Sequence, residues 1–348
     1  MSRSAIFATV IATLLVGPSA VAAESVGVVT ILEGDATVIR GLSEYTLAEG
    51  VRVLSNDLVE TGKATFLRVE FSDGAIVDLG PITRAQLNRP SLRKNDRPAF
   101  YLLSGWLKVT AGKLGAGAKG AIGSPQFDAI GLDGESVERA EHGSSAVFAE
   151  NGPLRVVDRR RNVPAPIVLK SGDFLGLRND EAPAVSGRAA HEFVAAMPRQ
   201  FEDSLPPQSA RFQGRDVHPK AIGAFTYAQV EAWLDAELAV RRRFVHEWAA
   251  KAEEDAFRQR LEARLSRHPE WEPVLYPERF EPKLPTPATS EPPAPVAGGS
   301  IRPIPSVPTT TPDSGAPHGA ASDSAAAPAP GSTPEAPDPG ASGAAPGH

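Results

Sequence analysis

Three consecutive arginines, Arg159-Arg160-Arg161, form one of two arginine triplets in this 348-residue chain. They follow an apolar run, Leu154–Val157, and precede Asn162 and a Pro-bounded run that starts at Ile167. A charge run between two strands reads as an exposed hairpin loop. Gathered on one tip, the same guanidiniums would bind an anion, either a glycan phosphate or an acidic partner. A second triplet, Arg241-Arg242-Arg243, falls in a helical stretch. Consecutive helical residues point in different directions, so it makes no concentrated patch.

Other chemistry is thinner. "GAGAKG", Gly115 to Gly120, matches G-x-G-x-x-G. A dinucleotide loop must open a helix, so that the helix N-terminus meets the pyrophosphate. Here Ala121-Ile122-Gly123-Ser124-Pro125 follows, which is rich in breakers, so the stretch reads as a flexible loop. Seven histidines are present. His318 and His348 lie near the C-terminus, and His142, His191, His218, His246 and His268 are spaced too widely for a ligand pair. The Asp of Asp73-Gly74 and of Asp133-Gly134 is explained by turn chemistry. A glycan hydrolase needs two converging carboxylates, and no pair can be nominated. Cys is absent, which excludes disulfides, thiolate metal sites and Cys nucleophiles. A net charge of −6 argues against a nucleic-acid binder. No cofactor, no metal and no enzyme activity are expected.

What positions these residues is a β-rich body. In "RVEFSDGAIVDLGP", Arg68 to Pro81, Leu67, Val69 and Phe71 alternate with Arg68 and Glu70. After Asp73-Gly74, Ala75, Val77 and Leu79 share one parity. Period-2 alternation around Asp-Gly predicts a hairpin with a type I′ turn, one face buried and the other in water. Similar short runs occur at Val28–Leu32, Ala36–Arg40, Tyr101–Val109, Ala146–Ala149, Leu154–Val157 and Ile167–Leu169. Many short strands separated by turn residues imply an all-β barrel, sandwich or solenoid-like body. "LAEGVRVLSNDLVETG" (Leu47 to Gly62) has an echo in "LKSGDFLGL" (Leu169 to Leu177), too loose to define a repeat architecture.

The ordered series Leu32-Glu33-Gly34-Asp35-Ala36-Thr37-Val38, Leu47-x-x-Gly50, Asn56-Asp57-Leu58-Val59-Glu60-Thr61-Gly62, Val69-Glu70-Phe71-x-Asp73-Gly74, Leu79-Gly80-Pro81 and Leu103-x-Gly105 resembles the FecR-type periplasmic domain. The resemblance covers about Ser25 to Leu177. It implies an all-β domain outside the inner membrane. In its best-known members that domain relays a receptor's state to an extracytoplasmic sigma factor, and elsewhere its role is unsettled. Signalling members carry a cytoplasmic anti-sigma segment and a transmembrane helix ahead of the domain, and here a cleavable signal stands in that place. Gly134-Glu135-Ser136-Val137 also replaces the Gly-Thr pair found before a strand in that region of the family. The resemblance therefore supports a fold and a compartment rather than transmembrane signalling.

The ends fit an exported protein. Arg3, the apolar run Ala5–Val16, Gly17-Pro18 and Ala20-Val21-Ala22 compose a secretory signal peptide, cleaved after Ala22 or Ala23. Past Phe280 the chain holds 17 of its 33 prolines, mixed with Ala, Gly, Ser and Thr. Such a segment buries too little apolar surface to offset its ordering entropy. Between them, "GRAAHEFVAAMPRQF" (Gly187 to Phe201) predicts a short helix interrupted at Pro198. A long helix is expected from Thr226, with Gln229 completing a capping box. Val230, Trp233, Leu234, Leu238, Phe244, Val245 and Trp248 recur at helical spacing. That stripe must be buried. It packs on the β body or on itself, or else Trp233, Phe244 and Trp248 meet a partner or second copy.

The resulting expectation is a mainly β protein: a FecR-like all-β body of short antiparallel strands and hairpins, a C-terminal α-helical appendage and a disordered tail. Its parts are a signal peptide (1–23), the β domain (24–178), a linker with a short helix (179–225), the helical region (226–280) and a Pro/Ala-rich tail (281–348). Functionally it is a periplasmic or secreted non-catalytic binding or scaffolding module. Its partner is an envelope protein or cell-wall glycan, and its candidate contact residues are Arg159, Arg160, Arg161, Trp233, Phe244 and Trp248. The alternative is a sensor partner that docks a separate membrane signalling protein.

Overall fold

A computed structural model of the chain describes residues 25–88, 98–112, 121–161 and 165–280. The signal segment, the Gly115–Gly120 loop and the Pro-rich tail lie outside the described residues. The first half contains β1 (Ser25–Glu33), β2 (Ala36–Arg40), β3 (Ser43–Thr46), β4 (Arg52–Leu54), β5 (Asp57–Thr61), β6 (Phe66–Phe71), β7 (Ile76–Leu79), β8 (Arg84–Leu87) and β9 (Phe100–Thr110). The second half adds β10 (Ala121–Gly123), β11 (Phe127–Ile130), β12 (Glu135–Glu141), β13 (Ser144–Asn151), β14 (Leu154–Asp158), β15 (Ile167–Leu169), β16 (Phe174–Arg178), β17 (Ala184–Ser186) and a late strand, β18 (Lys220–Ala224). The helices are α1 (His191–Ala196), α2 (Tyr227–Leu234), α3 (Leu238–Glu247), α4 (Asp255–Ala263) and α5 (Glu272–Leu275). The protein is mainly β, as its alternating runs require.

The strands form two ladders that share β9. One runs β4-β1-β6-β7-β9-β12-β13-β16-β17. The other runs β18-β3-β2-β5-β8-β9-β10-β11-β14-β15. The N-terminal half of β9 pairs with β8 and its C-terminal half with β7 and β12. The change of ladder falls at Gly105, whose φ of +97° and approach to the Thr83 backbone leave no room for a Cβ. One apolar core is enclosed by both ladders, with Val29, Val69, Val77 and Leu107 from the first and Val38, Val59, Ala85 and Leu102 from the second. Each such Val or Leu side chain, fully buried, contributes about 1.5–3 kcal/mol. With Cys absent, this core carries the β body.

The Asp73-Gly74 hairpin is present as β6–β7, in the register Leu67↔Leu79 and Val69↔Val77. Its turn differs from the expected type I′. Gly74 alone has a positive φ, of 84°. The Gly74 amide donates to the Phe71 carbonyl at 3.0 Å and the Phe71 amide to the Ala75 carbonyl at 2.8 Å. This is a three-residue loop ending in a left-handed glycine, the next most common hairpin connection. Asp73 Oδ1 accepts the Ala75 amide at 2.9 Å.

The ribbon's polar face is not in water either. Arg68, Glu70 and Asp78 are all buried, because the segment from Pro198 to Phe212 lies across them. Arg68 grips Asp78 through two bonds of 2.7 and 2.8 Å and donates to the Leu205 carbonyl at 3.1 Å. Glu70 accepts the amides of Gln208 and Ser209 at 2.7 and 2.8 Å. Lys108 donates to the Phe201 carbonyl at 2.7 Å. Burial pushes the Asp78 carboxyl up, and the Arg68 guanidinium only partly offsets it. The alternating charges thus anchor a distant stretch of main chain.

The Leu-x-x-Gly echo is a shared turn. Gly50 and Gly172 have φ of +89° and +88°. Gly50 N donates to Val29 O at 2.7 Å, and Val29 N to Val51 O at 3.0 Å. In the same way Gly172 N donates to Ala149 O at 2.7 Å, and Ala149 N to Asp173 O at 2.9 Å. Each turn clamps the strand that its chain pairs with next, β1 in one case and β13 in the other.

Candidate functional site

The site is the junction between the β body and the helices. The helical layer does not form as one long helix. α2 begins with Gln229 accepting the Thr226 amide at 2.7 Å, but it ends at Leu234, and Glu237 is extended before α3 begins. The break has a tertiary cause. Glu237 accepts a hydrogen bond from Tyr101 Oη of β9 at 2.7 Å and ion-pairs with Arg159 at 2.6 Å. The helical stripe therefore folds onto the β body. Trp233 and Phe244 are wholly buried and Trp248 nearly so. They share a core with Ile39, Leu58 and Tyr101 of the strands. Phe244 and Trp248 stack at 4.0 Å, and Tyr101 lies 6.4 Å from Trp233. These three aromatics are thus internal, and a partner surface at Trp233, Phe244 and Trp248 is ruled out by their burial in the chain's own core.

The three arginines follow β14, but they do not form a free tip. Arg159 bonds to Glu237 and lies 3.4 Å from Asp128 of β11. The acid it holds belongs to its own chain. Arg160 holds Asp158 through two bonds of 2.8 Å and donates to the Arg178 carbonyl. Arg161, half exposed, reaches Asp158 at 3.4 Å. Arg160's hydrogen bonds keep the Asp158 carboxyl below its ordinary range. Burial raises the carboxyls of Glu237 and Asp128, with Arg159 opposing both shifts. Burial also raises the Tyr101 hydroxyl, which therefore stays a donor. The second triplet diverges: Arg241 pairs with Glu270 at 3.0 Å, Arg243 reaches Asn56 at 2.9 Å, and Arg242 is exposed.

Beside this junction lies a cleft of about 900 Å³, walled by strands on one side and helices on the other. Arg84, Ser104, Glu141 and Arg160 line the β side, and Asp235, Glu237, Arg241 and Arg267 the helical side. Arg84 and Arg267 are the more open cations, held by Glu60 at 3.0 Å and Asp235 at 3.5 Å. Gln126 also lines the cleft. Its Nε2 donates to Asn179 at 2.8 Å, while its buried Oε1 has no hydrogen-bond partner. Arg84 and Arg267 are each more exposed than the carboxylate that holds them. Sequence reasoning reached Arg159 and Arg160 and missed Tyr101, Gln126, Asp235 and Glu237. No local signal marks these four, since each acquires its role from residues far along the chain.

Among the described residues, no three or more metal-ligating side chains converge, and no helix is long and apolar enough to cross a membrane. No family model and no curated protein matches the sequence. Two crystal structures of a candidate anti-sigma factor from Parabacteroides distasonis ATCC 8503, at 2.50 and 1.65 Å resolution, are similar to it. Identity is 15%, with 39% of this chain and 62% of theirs covered, and the TM-scores are 0.33 and 0.32. The chain thus spans less than two thirds of those neighbours, and a likeness of that size carries no argument about function.

Proposed function

We propose that this chain is an exported, non-catalytic FecR-type module of the bacterial cell envelope that binds an acidic segment of another envelope protein in the cleft. The observation that carries this reading is the cleft's lining. Arginines from both layers face it, and Arg84 and Arg267 are each more exposed than the carboxylate that holds them, which leaves their outer donors open to an incoming carboxylate. The charged lining suits a protein segment better than a sugar face, which favours an envelope protein over wall glycan. If that protein is a membrane signalling protein, the chain is its sensor partner. The series of motifs from Leu32 to Gly105, with the signal segment, supports the compartment.

In-cell photo-crosslinking tests the reading, with the probe placed in turn at Arg267 in the cleft and at exposed Arg242 outside it. One protein adduct from Arg267 and none from Arg242 is the expected result. No protein adduct from either, with the mature chain sedimenting on purified sacculi, would make this a wall-binding module and overturn it.

A further inference from the structure

A second concavity, separate from the Arg159 junction, lies on the outer face of β12, β13, β16 and β17. Directly opposed residues in neighbouring strands share a face. Ala146 faces Gly176, and Gly176 faces Ala184, so three small residues cross the sheet in one row. The neighbouring rows are large. Phe148, Phe174 and Ser186 stand on one side of the row. Glu141, Ser144 and Arg178 stand on the other. The result is a pocket of about 380 Å³, within the range of small-molecule sites.

Its walls differ in kind. Phe193 of α1 lies 5.0 Å from Phe174 in an edge-to-face pair, which makes one wall aromatic. The other wall is charged, with Glu141, Glu181 and Glu192 beside Arg139 and Arg178. Arg139 pairs with Glu141 and lies over Trp106 at 4.8 Å, and its Nε has no hydrogen-bond partner. Arg178 is two-thirds exposed and only loosely paired with Glu181, at 3.8 Å. Gly176 has no steric reason to be glycine. Its φ is not in the left-handed region, and a Cβ there would meet nothing nearer than 3.7 Å. Glycine inside a strand weakens it, and one use of such a glycine is the close approach of a ligand.

We propose that this pocket binds a small amphipathic acid, an aromatic or branched apolar group that carries a carboxylate. The apolar group lies on Gly176 between Ala146 and Ala184, against Phe174 and Phe193. The carboxylate meets Arg178, with Arg139 behind it. The site is independent of the acidic segment proposed for the cleft, and either can fail alone.

The test uses the mature full chain and two probes, N-acetyl-L-phenylalanine and its uncharged amide, followed by ligand-observed NMR titration. The acid is expected to bind saturably and the amide at least about tenfold more weakly, the loss of one charge-assisted contact. Arg178→Gln, at an exposed position, should bring the acid to the amide's affinity without changing the melting temperature. Gly176→Leu should fill the floor and abolish binding of both probes. Absence of saturable acid binding up to about 10 mM, below which specific recognition should register, would overturn the proposal. Acid binding unchanged by Arg178→Gln would overturn it too.

Discussion

Glu138 is the sharpest handle on the energetics of the β body. It lies on β12 with no exposed surface, on the same strand parity as core-facing Ala140. Ser136 Oγ donates to one carboxyl oxygen at 2.6 Å, and the other oxygen has no partner. Burial pushes the carboxyl up to about 8 from 4.5, with the Ser136 hydrogen bond opposing. The unfolded chain releases this proton near pH 4.5 while the folded chain keeps it to about pH 8. The folded state therefore binds more protons across that window, and stability must fall as pH rises through it. At about 1.4 kcal/mol per pKa unit, the loss approaches 5 kcal/mol by pH 8. That is comparable to the whole stability of a small domain, about 5–15 kcal/mol. Glu138→Gln keeps the shape and removes the proton. Urea unfolding of both chains at pH 5 and pH 8 isolates the effect, because every other titrating group is common to the two. The variant should gain several kcal/mol relative to the parent between pH 5 and 8. A parent-to-variant difference that is equal at the two pH values, within about 0.5 kcal/mol, would refute a buried neutral carboxyl at this position.

Three further outcomes follow from geometry. Gly74→Val places a β-branched residue at a φ of 84° and should lower stability by about 1 kcal/mol or more, read as a lower melting temperature; no change would argue against the turn. Arg68→Ala leaves Asp78 buried without its cation, and should cost about 3–5 kcal/mol, whereas Arg68→Met with Asp78→Leu should recover most of that loss in the same denaturant titration. Arg159 and Glu237 form an ion pair across the two layers, so a double-mutant cycle on Arg159→Ala and Glu237→Gln should give a coupling above about 0.5 kcal/mol; additive losses would mean that this pair does not help to hold the helices.

Much of the body was legible because its signals are local. Ala36–Arg40 and Ile167–Leu169 were read with the bounds that the strands have, since alternation and flanking turn residues lie within a few positions. The Asp-Gly hairpin was legible, but its turn type was not, because two- and three-residue loops can share the same dipeptide. The fate of Arg68 and Glu70 was hidden. Alternating charges read as a solvated face, and what covers them lies more than 130 positions later. β18 was equally hidden: Lys220–Ala224 is exposed along its length and is a strand only because β3 pairs with it. The break between α2 and α3 has no proline or glycine to announce it. It exists because Tyr101 and Arg159 hold Glu237. The Leu-x-x-Gly echo is the opposite case, a signal present in the sequence whose meaning needed Val29 and Ala149 to be seen in equivalent places.

The most direct test of the central claim places a photo-crosslinker at Ser104, on the β side of the cleft, in cells. The adduct is then compared between the parent chain and an Arg84→Glu/Arg267→Glu variant of matched melting temperature. Binding of an acidic segment predicts one protein adduct in the parent and at least about a tenfold loss in the variant, since two favourable charges become repulsive. An adduct of equal yield in both chains, or none in the parent, would contradict the claim.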